Sequence, residues 1–99
     1  CGCTNKLTCT YSNNFEDIEI KNKIIFNFDD NTYKQIDKMI FSDSISAANY
    51  YNEIIDYEEE YNLNLEENII VSKLNGQITL NGEKDEIKKQ YEGYEYKCR

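Results

Sequence analysis

The chain has 99 residues, and its 19 acidic and 11 basic residues leave a net charge of −8 with no histidine. This length allows one domain with a modest core, since a chain of this size buries roughly 65% of the surface that its unfolded form exposes. The negative charge argues against nucleic acid as a partner and against an electrostatic anchor on anionic lipid. No apolar run reaches the roughly 18 residues that a membrane-spanning helix needs.

The first six residues show no periodicity and are interpreted as a tether, followed by a single domain over residues 7–99. Alternating apolar and polar residues predict a first strand that starts at Leu7, with a turn at residues 12–14. A second strand carries isoleucine and phenylalanine at one parity within residues 18–28, and residues 32–42 form the third. Three strands joined by tight turns predict an antiparallel meander.

A helix is predicted from Ser44, because apolar residues recur at helical spacing through Ile55. Its start can be capped by Asp43, Ser44 or Ser46. Three glutamates near its end oppose the helix dipole by roughly a few tenths of a kcal/mol each, which is typical of a solvated helix end. The alternative is an acidic contact surface for a basic or neutral protein partner, with aromatic anchors and a charged rim. That candidate surface consists of Tyr57, Glu58, Glu59, Glu60 and Tyr61.

A hairpin is predicted over residues 69–80, because Asn75-Gly76 is the favoured pair for a two-residue type I′ turn. In this register Val71 lies opposite Leu80. The apolar face of the hairpin would consist of Ile69, Val71, Ile78 and Leu80.

A short helix over residues 83–92 is predicted to end at Gly93 in the left-handed conformation, and residues 94–98 alternate as a last strand. The predicted element order is β-β-β-α-β-β-α-β. The sequence therefore predicts one small α+β domain, an antiparallel sheet with two helices.

The four cysteines stand at positions 1, 3, 9 and 98. A first-position cysteine followed by a small residue and a polar tether is typical of a bacterial lipoprotein after removal of its signal peptide. Cys1 would then carry a thioether-linked diacylglycerol and often an N-acyl chain such as palmitate; the alternative is a chain that merely happens to begin at a cysteine. The predicted location is the extracytoplasmic face of the cell membrane, where disulfides persist.

Cys9 and Cys98 stand at apolar positions of the first and last predicted strands, so their sulfurs can meet if those strands are neighbours. Such a disulfide would close almost the whole domain and stabilise it by about 4.6 kcal/mol in the loop-entropy model. With Cys1 acylated, Cys3 would be the odd thiol. The competing hypothesis is a thiolate metal site or a thiol-redox site that uses Cys3, Cys9 and Cys98, although zinc sites usually show paired, closely spaced cysteines.

Three segments carry a resemblance to a known group of proteins: Leu7-Thr8-Cys9-Thr10, residues 24–31, and residues 93–98 with their Gly-Tyr-Glu-Tyr-Lys-Cys sequence. The chain resembles small lipoproteins of low-GC Gram-positive bacteria and mollicutes, and more weakly the YehR-like lipoproteins. The resemblance implies the membrane location and the Cys9–Cys98 disulfide. It implies no active site.

Residue patterns for catalysis are scarce in this sequence. Without histidine there is no Ser-His or Cys-His pair, and the four glycines are too scattered for a phosphate-binding loop. The sequence predicts a non-enzymatic binding or accessory module with no cofactor and no metal, held on the membrane through its N-terminal lipid.

Overall fold

The computed structural model describes residues 5–57, 62–79 and 83–99. Within these ranges the element order is β-β-β-α-β-β-α-β, as predicted. The strands are β1 (Lys6–Phe15), β2 (Ile18–Asn27), β3 (Thr32–Ile40), β4 (Leu63–Glu66), β5 (Ile69–Gln77) and β6 (Lys97–Cys98). The helices are α1 (Ser44–Ile54), continued by a 3-10 turn over Ile55–Tyr57, and α2 (Lys84–Glu92).

The six strands form one antiparallel sheet in the order β4-β5-β3-β2-β1-β6. Its centre is the predicted meander, in which Leu7 lies opposite Phe26, and Phe26 lies opposite Tyr33. The final strand pairs with the outer edge of β1 and so returns the end of the chain to its beginning.

The first hairpin is longer than predicted. Phe15 pairs with Ile18, so the turn consists of Glu16 and Asp17 and not of residues 12–14. Glu16 adopts the positive φ of 57° that this tight reversal needs. The two asparagines of the predicted turn continue the strand instead, because strand pairing overrides their local turn preference.

The predicted hairpin around Asn75-Gly76 is wrong. The turn lies at Glu67-Asn68, where Glu66 pairs with Ile69, and β5 runs straight through Gly76. Gly76 faces Tyr33 across the strands, and a Cβ at this glycine would lie 2.8 Å from the Tyr33 Cε1 atom. The absence of a side chain at Gly76 therefore lets the Tyr33 ring approach the strand closely, which is a known role of glycine within strands.

The register of β5 also reverses the predicted facing of Ile69 and Val71, whereas Ile78, predicted for the same apolar face, is buried in the core. Ile70 is buried, whereas Ile69 and Val71 are half-buried and lie on the opposite face. Val71 pairs with Lys38 and Asn64. Leu80, its predicted partner, lies outside the described residues.

Both helices lie against the same face of the sheet. One core cluster, under α2, contains Leu7, Cys9, Ile24, Phe26, Ile78 and Ile87. The other, against α1, contains Phe41, Ala47, Leu63 and Ile70. Every buried residue of the described strands belongs to this helix-covered face, as the register shows. The opposite face, here called the open face, carries no helix among the described residues.

The described part of the molecule is elongated. Its radius of gyration is 15.3 Å and its extents are 47 × 26 × 25 Å, compared with a radius of about 13 Å for a compact domain of this length. A wide sheet covered on one face only accounts for the difference.

The start of α1 is fixed by Asp43, one of the three predicted caps. Its carboxylate accepts hydrogen bonds from the Ser46 backbone N–H at 2.6 Å and the Ser46 hydroxyl at 3.1 Å. These bonds hold the pKa of Asp43 below its ordinary value. They also satisfy a backbone donor that the first helical turn leaves without a partner.

The end of α2 differs from the prediction. Gly93 follows the helix, but its φ of −66° is right-handed and not left-handed. The positive φ occurs two residues later at Glu95, with a value of 71°. Because this turn occupies residues 93–95, the last strand has two residues and not five.

Truncation of Ile87 tests how much α2 contributes to the core. Ile87 is fully buried between α2 and the sheet, so Ile87→Ala should lower the free energy of unfolding by about 2–5 kcal/mol. The matched control is Ile45→Ala on α1, where the side chain is 73% exposed and the change should be within about 0.5 kcal/mol. Urea unfolding followed by circular dichroism measures both; equal losses in the two variants would contradict this packing.

Candidate binding surface

Part of the predicted site lies outside the described residues. Cys1, the predicted lipid attachment point, and Cys3 precede them. Of the predicted acidic contact surface, Glu58, Glu59, Glu60 and Tyr61 also fall outside, and Tyr57 is described only as the last residue of the 3-10 turn. These assignments stay predictions.

The predicted disulfide between Cys9 and Cys98 is confirmed. The S–S distance is 2.07 Å, and the two residues are direct partners across β1 and β6. The neighbouring pair, Thr8 and Arg99, exchanges both backbone hydrogen bonds, at 3.1 and 2.9 Å. Cys9 and Cys98 therefore occupy a non-hydrogen-bonded position, where the side chains of antiparallel strands come closest. In the disulfide neither sulfur is a thiolate, so neither can bind a metal or attack a substrate in this form.

The open face has a different composition from the helix-covered face. Along β1 it presents Lys6, Thr8 and Thr10, and every residue of this face in the described strands is exposed or half-buried. Eight of the chain's 11 basic residues belong to it by register. They are Lys6, Lys21, Lys23, Lys34, Lys38, Lys73, Lys97 and Arg99.

Acidic residues are few on this face. Among the described strands it carries Glu19 and Glu66. Both belong to the cross-strand row that also contains Ile40 and Ile69, at the end of the sheet away from Lys6. The described carboxylates otherwise lie in turns, on the helices, or on the helix-covered face, and one of the turn residues, Glu95, lines a groove on the open face together with Lys97. The net charge of −8 therefore conceals a separation of charge between two sides of the molecule.

The lysines of the open face lie side by side. Lys21 and Lys38 are direct cross-strand partners, and Lys21 forms a 3.3 Å ion pair with Glu19 on the same strand. Like charges directly opposite each other in a sheet destabilise it by roughly 0.2–1 kcal/mol. The half-buried Ile36 lies between Lys23 and Lys73 in one cross-strand row, and the half-buried Ile25 is the direct partner of Lys34 in the next open-face row. Stability alone would not favour this arrangement, which is typical of a surface that meets negative charge.

Two open grooves cross this face. One, of ≈ 560 Å³, is lined by Lys21, Lys23, Lys38 and Ile36, and also by Glu95. The other, of ≈ 640 Å³, lies beside Lys34 and Ile25. By register no aromatic residue stands at an open-face position of the described strands, although Tyr11 and Tyr33 each line one of the two grooves.

A second candidate site lies on the helix-covered face, between the two core clusters. Here Asp37 accepts a hydrogen bond from the Gln35 amide at 2.8 Å. The Asn22 amide is assigned with its nitrogen towards Asp37, at 3.1 Å from the carboxylate. Burial raises the pKa of Asp37, and the Gln35 hydrogen bond lowers it in part. The Asp37 carboxylate is held by two amides and lies opposite Ser72 of β5, so this cluster is best explained as a polar divider between the two cores.

Among the described residues, no group of three or more cysteine, aspartate or glutamate side chains could hold a metal ion. No helix in the described ranges is long and apolar enough to cross a membrane.

Comparison with protein-family models, with curated sequences and with solved structures found no match for this chain. The resemblance to small lipoproteins therefore stays a prediction.

The basic face was missed at the level of sequence because net charge averages over the whole chain. A local signal was present: Lys21 and Lys23 share one strand parity, as do Lys34 and Lys38 on the next strand. The relative parity of the two strands follows from their register, which places these four lysines on one face.

Removal of the disulfide by Cys9→Ala with Cys98→Ala should lower the free energy of unfolding by about 4.6 kcal/mol, because a cross-link over 89 residues restricts most of the unfolded chain. At roughly 4–8 °C per kcal/mol, the melting temperature should fall by well over ten degrees. Calorimetry of the oxidised wild type, the reduced wild type and the variant measures this. A variant that melts with the oxidised wild type would contradict a stabilising role.

Asp37→Asn tests the polar divider through pH. Because burial raises the pKa of Asp37 above its ordinary value of 3.8, the native state binds this proton more tightly than the unfolded chain does. This contribution to stability is present below pH 3.8 and is lost as pH rises through the native pKa. The unfolding free energy of wild type minus that of Asp37→Asn should therefore decrease between about pH 3 and pH 7. A difference that increases with pH would show that the carboxylate is stabilised in its charged form.

Proposed function

We propose that the protein is a lipid-anchored, extracytoplasmic binding or accessory module without catalytic activity. The observation that carries the proposal is the separation of charge in the described residues, with eight basic residues on an uncovered sheet face. Exposed residues arranged on a rigid scaffold more often serve recognition than stability. The disulfide supports the extracytoplasmic location, because such bonds persist in oxidising compartments.

The anchor at Cys1 is supported by the sequence pattern of a cysteine followed by a small residue and a polar tether. Five residues precede β1, and five extended residues span at most about 18 Å. A lipid on Cys1 would therefore hold the domain close to the membrane surface.

A non-catalytic role is supported by the chemistry of the titratable side chains and the cysteines. The sequence has no histidine, and Asp37, the described carboxylate whose pKa is raised, is held by amide groups. The thiolate alternative with Cys3, Cys9 and Cys98 would need the disulfide to open, although Cys9 is fully buried. We therefore prefer a binding role, with a basic or neutral protein partner at the acidic, helix-bearing side.

The anchor is tested by the intact mass of the native protein extracted from membranes. The mass should exceed that of the polypeptide by a diacylglyceryl group or more, and a wash at high salt should release Cys1→Ser, but not the wild type, into the soluble fraction. Protein of unmodified mass in the soluble fraction of wild-type cells would contradict the anchor.

The protein-binding role is tested by cross-linking on intact cells, followed by comparison of the wild type with Glu58→Gln, Glu59→Gln and Glu60→Gln combined. A partner that depends on the acidic helix end should be lost from the variant and kept by Lys38→Glu, which changes the opposite face. A partner retained equally by all three proteins would remove the acidic surface from the proposal.

A further inference from the structure

We propose that the open face docks on the anionic phospholipid headgroups of the membrane that holds Cys1, so that the sheet lies flat on the bilayer and the helices face away from it. The proposal deepens the lipid-anchored function and rests on it for the tether. The open face itself supplies the docking interaction.

The arrangement of charge favours this occupant. The basic residues are spread over β1, β2, β3, β5 and β6 in successive rows and not in one pocket. Neighbouring strands are about 4.8 Å apart, so the positive charges cover a plane of roughly 20 Å across. A plane of positive charge matches an extended negative surface better than it matches one small anion.

The overall negative charge does not prevent this contact. The acidic residues of the helices lie on the other side of the sheet from the bilayer, and packed layers are about 10 Å apart. This distance exceeds the Debye length of about 8 Å at physiological ionic strength, so the repulsion from the helix carboxylates is largely screened. The acidic residues of the hairpin turns stand at the ends of the sheet, beyond the rows that carry the lysines. The same separation of charge would orient the domain as it approaches.

The type of basic residue also fits a bilayer. Seven of the eight basic residues are lysines, with Arg99 as the exception. Lysine is a point charge on a flexible stem and suits mobile headgroups, whereas arginine is preferred where a planar group is recognised in fixed geometry. The half-buried Ile25 and Ile36 beside the lysines can meet the apolar part of the interface while the amines extend to the phosphates.

The start of the domain is placed for this contact. The carbonyl of Asn5 accepts a 2.9 Å hydrogen bond from the Phe28 N–H, and the next residue, Lys6, already belongs to the open face. A lipid four residues before Asn5 would keep the face within reach of the headgroups. It would also raise the local concentration of anionic lipid far above that in solution.

Vesicle sedimentation of the Cys1→Ser protein tests the docking without the anchor. Full-length, oxidised protein is mixed with vesicles of phosphatidylcholine alone or of phosphatidylcholine with phosphatidylglycerol, at low ionic strength and at about 0.15 M salt. We expect binding to the phosphatidylglycerol vesicles that weakens with salt, and no binding to pure phosphatidylcholine. Failure to bind phosphatidylglycerol at either ionic strength would overturn the proposal.

Two charge-reversed variants locate the surface. Lys23→Glu with Lys38→Glu reverses two open-face charges and should weaken binding at least about tenfold, given roughly a fivefold effect per lysine. Lys84→Glu with Lys89→Glu makes the same change in net charge on α2, on the other side of the sheet, and should keep affinity within about threefold. Equal losses in both variants would show a non-specific charge effect and overturn the assignment.

Folding and the competing occupants are checked in the same experiment. Lys38→Glu alone places opposite charges across β2 and β3 and should raise the melting temperature slightly, so weaker vesicle binding in that variant cannot come from unfolding. An acidic polypeptide, tested as polyglutamate, should not displace the protein from vesicles. If polyglutamate displaces the protein when its negative charge is at lower concentration than that of the anionic lipid, the face would be assigned to an acidic protein instead. Sedimentation that shows a dimer broken by Lys23→Glu with Lys38→Glu would assign it to a second copy.

Discussion

The register between neighbouring strands is the constraint on which the rest of the structure depends. Leu7 lies opposite Phe26 and Phe26 opposite Tyr33, so the buried side chains of the described strands point to one face of one sheet. Side chains alternate along each strand, and the same register therefore sends the lysines to the other face. The helices cover the apolar face, and the basic face is left exposed. The core and the basic face are two consequences of a single pairing pattern.

The disulfide secures this pattern where it is weakest. The last strand has only two residues, too few to hold the edge of a sheet by backbone hydrogen bonds alone. The covalent bond between Cys9 and Cys98 fixes the register of β6 on β1, and it joins two residues that are 89 positions apart in the sequence. It also lies in the core cluster beneath Ile87, so the covalent link and the packing of α2 support each other. A domain with a small core depends on such a link more than a large one does.

The sequence alone predicts the element order, the meander and the cysteine pair, because alternation and helical spacing are local signals. It misplaces the second hairpin because Asn75-Gly76 has a strong turn preference, whereas Gly76 in fact makes room for Tyr33, a residue more than forty positions earlier. The left-handed residue after α2 is Glu95 and not Gly93. The basic face is invisible to net charge, since it requires the relative register of strands that only pairing defines.

The most direct test of a membrane-facing open surface is the rate of lysine acetylation in the native, lipid-anchored protein, compared between vesicles with and without phosphatidylglycerol. Mass spectrometry of the peptides reports each lysine separately. In anionic vesicles the open-face lysines, represented by Lys23 and Lys38, should react several times more slowly than in neutral vesicles, while Lys84 and Lys89 on α2 should react at unchanged rates. Equal rates for Lys23 and Lys38 in the two kinds of vesicle would contradict docking of this face on the bilayer.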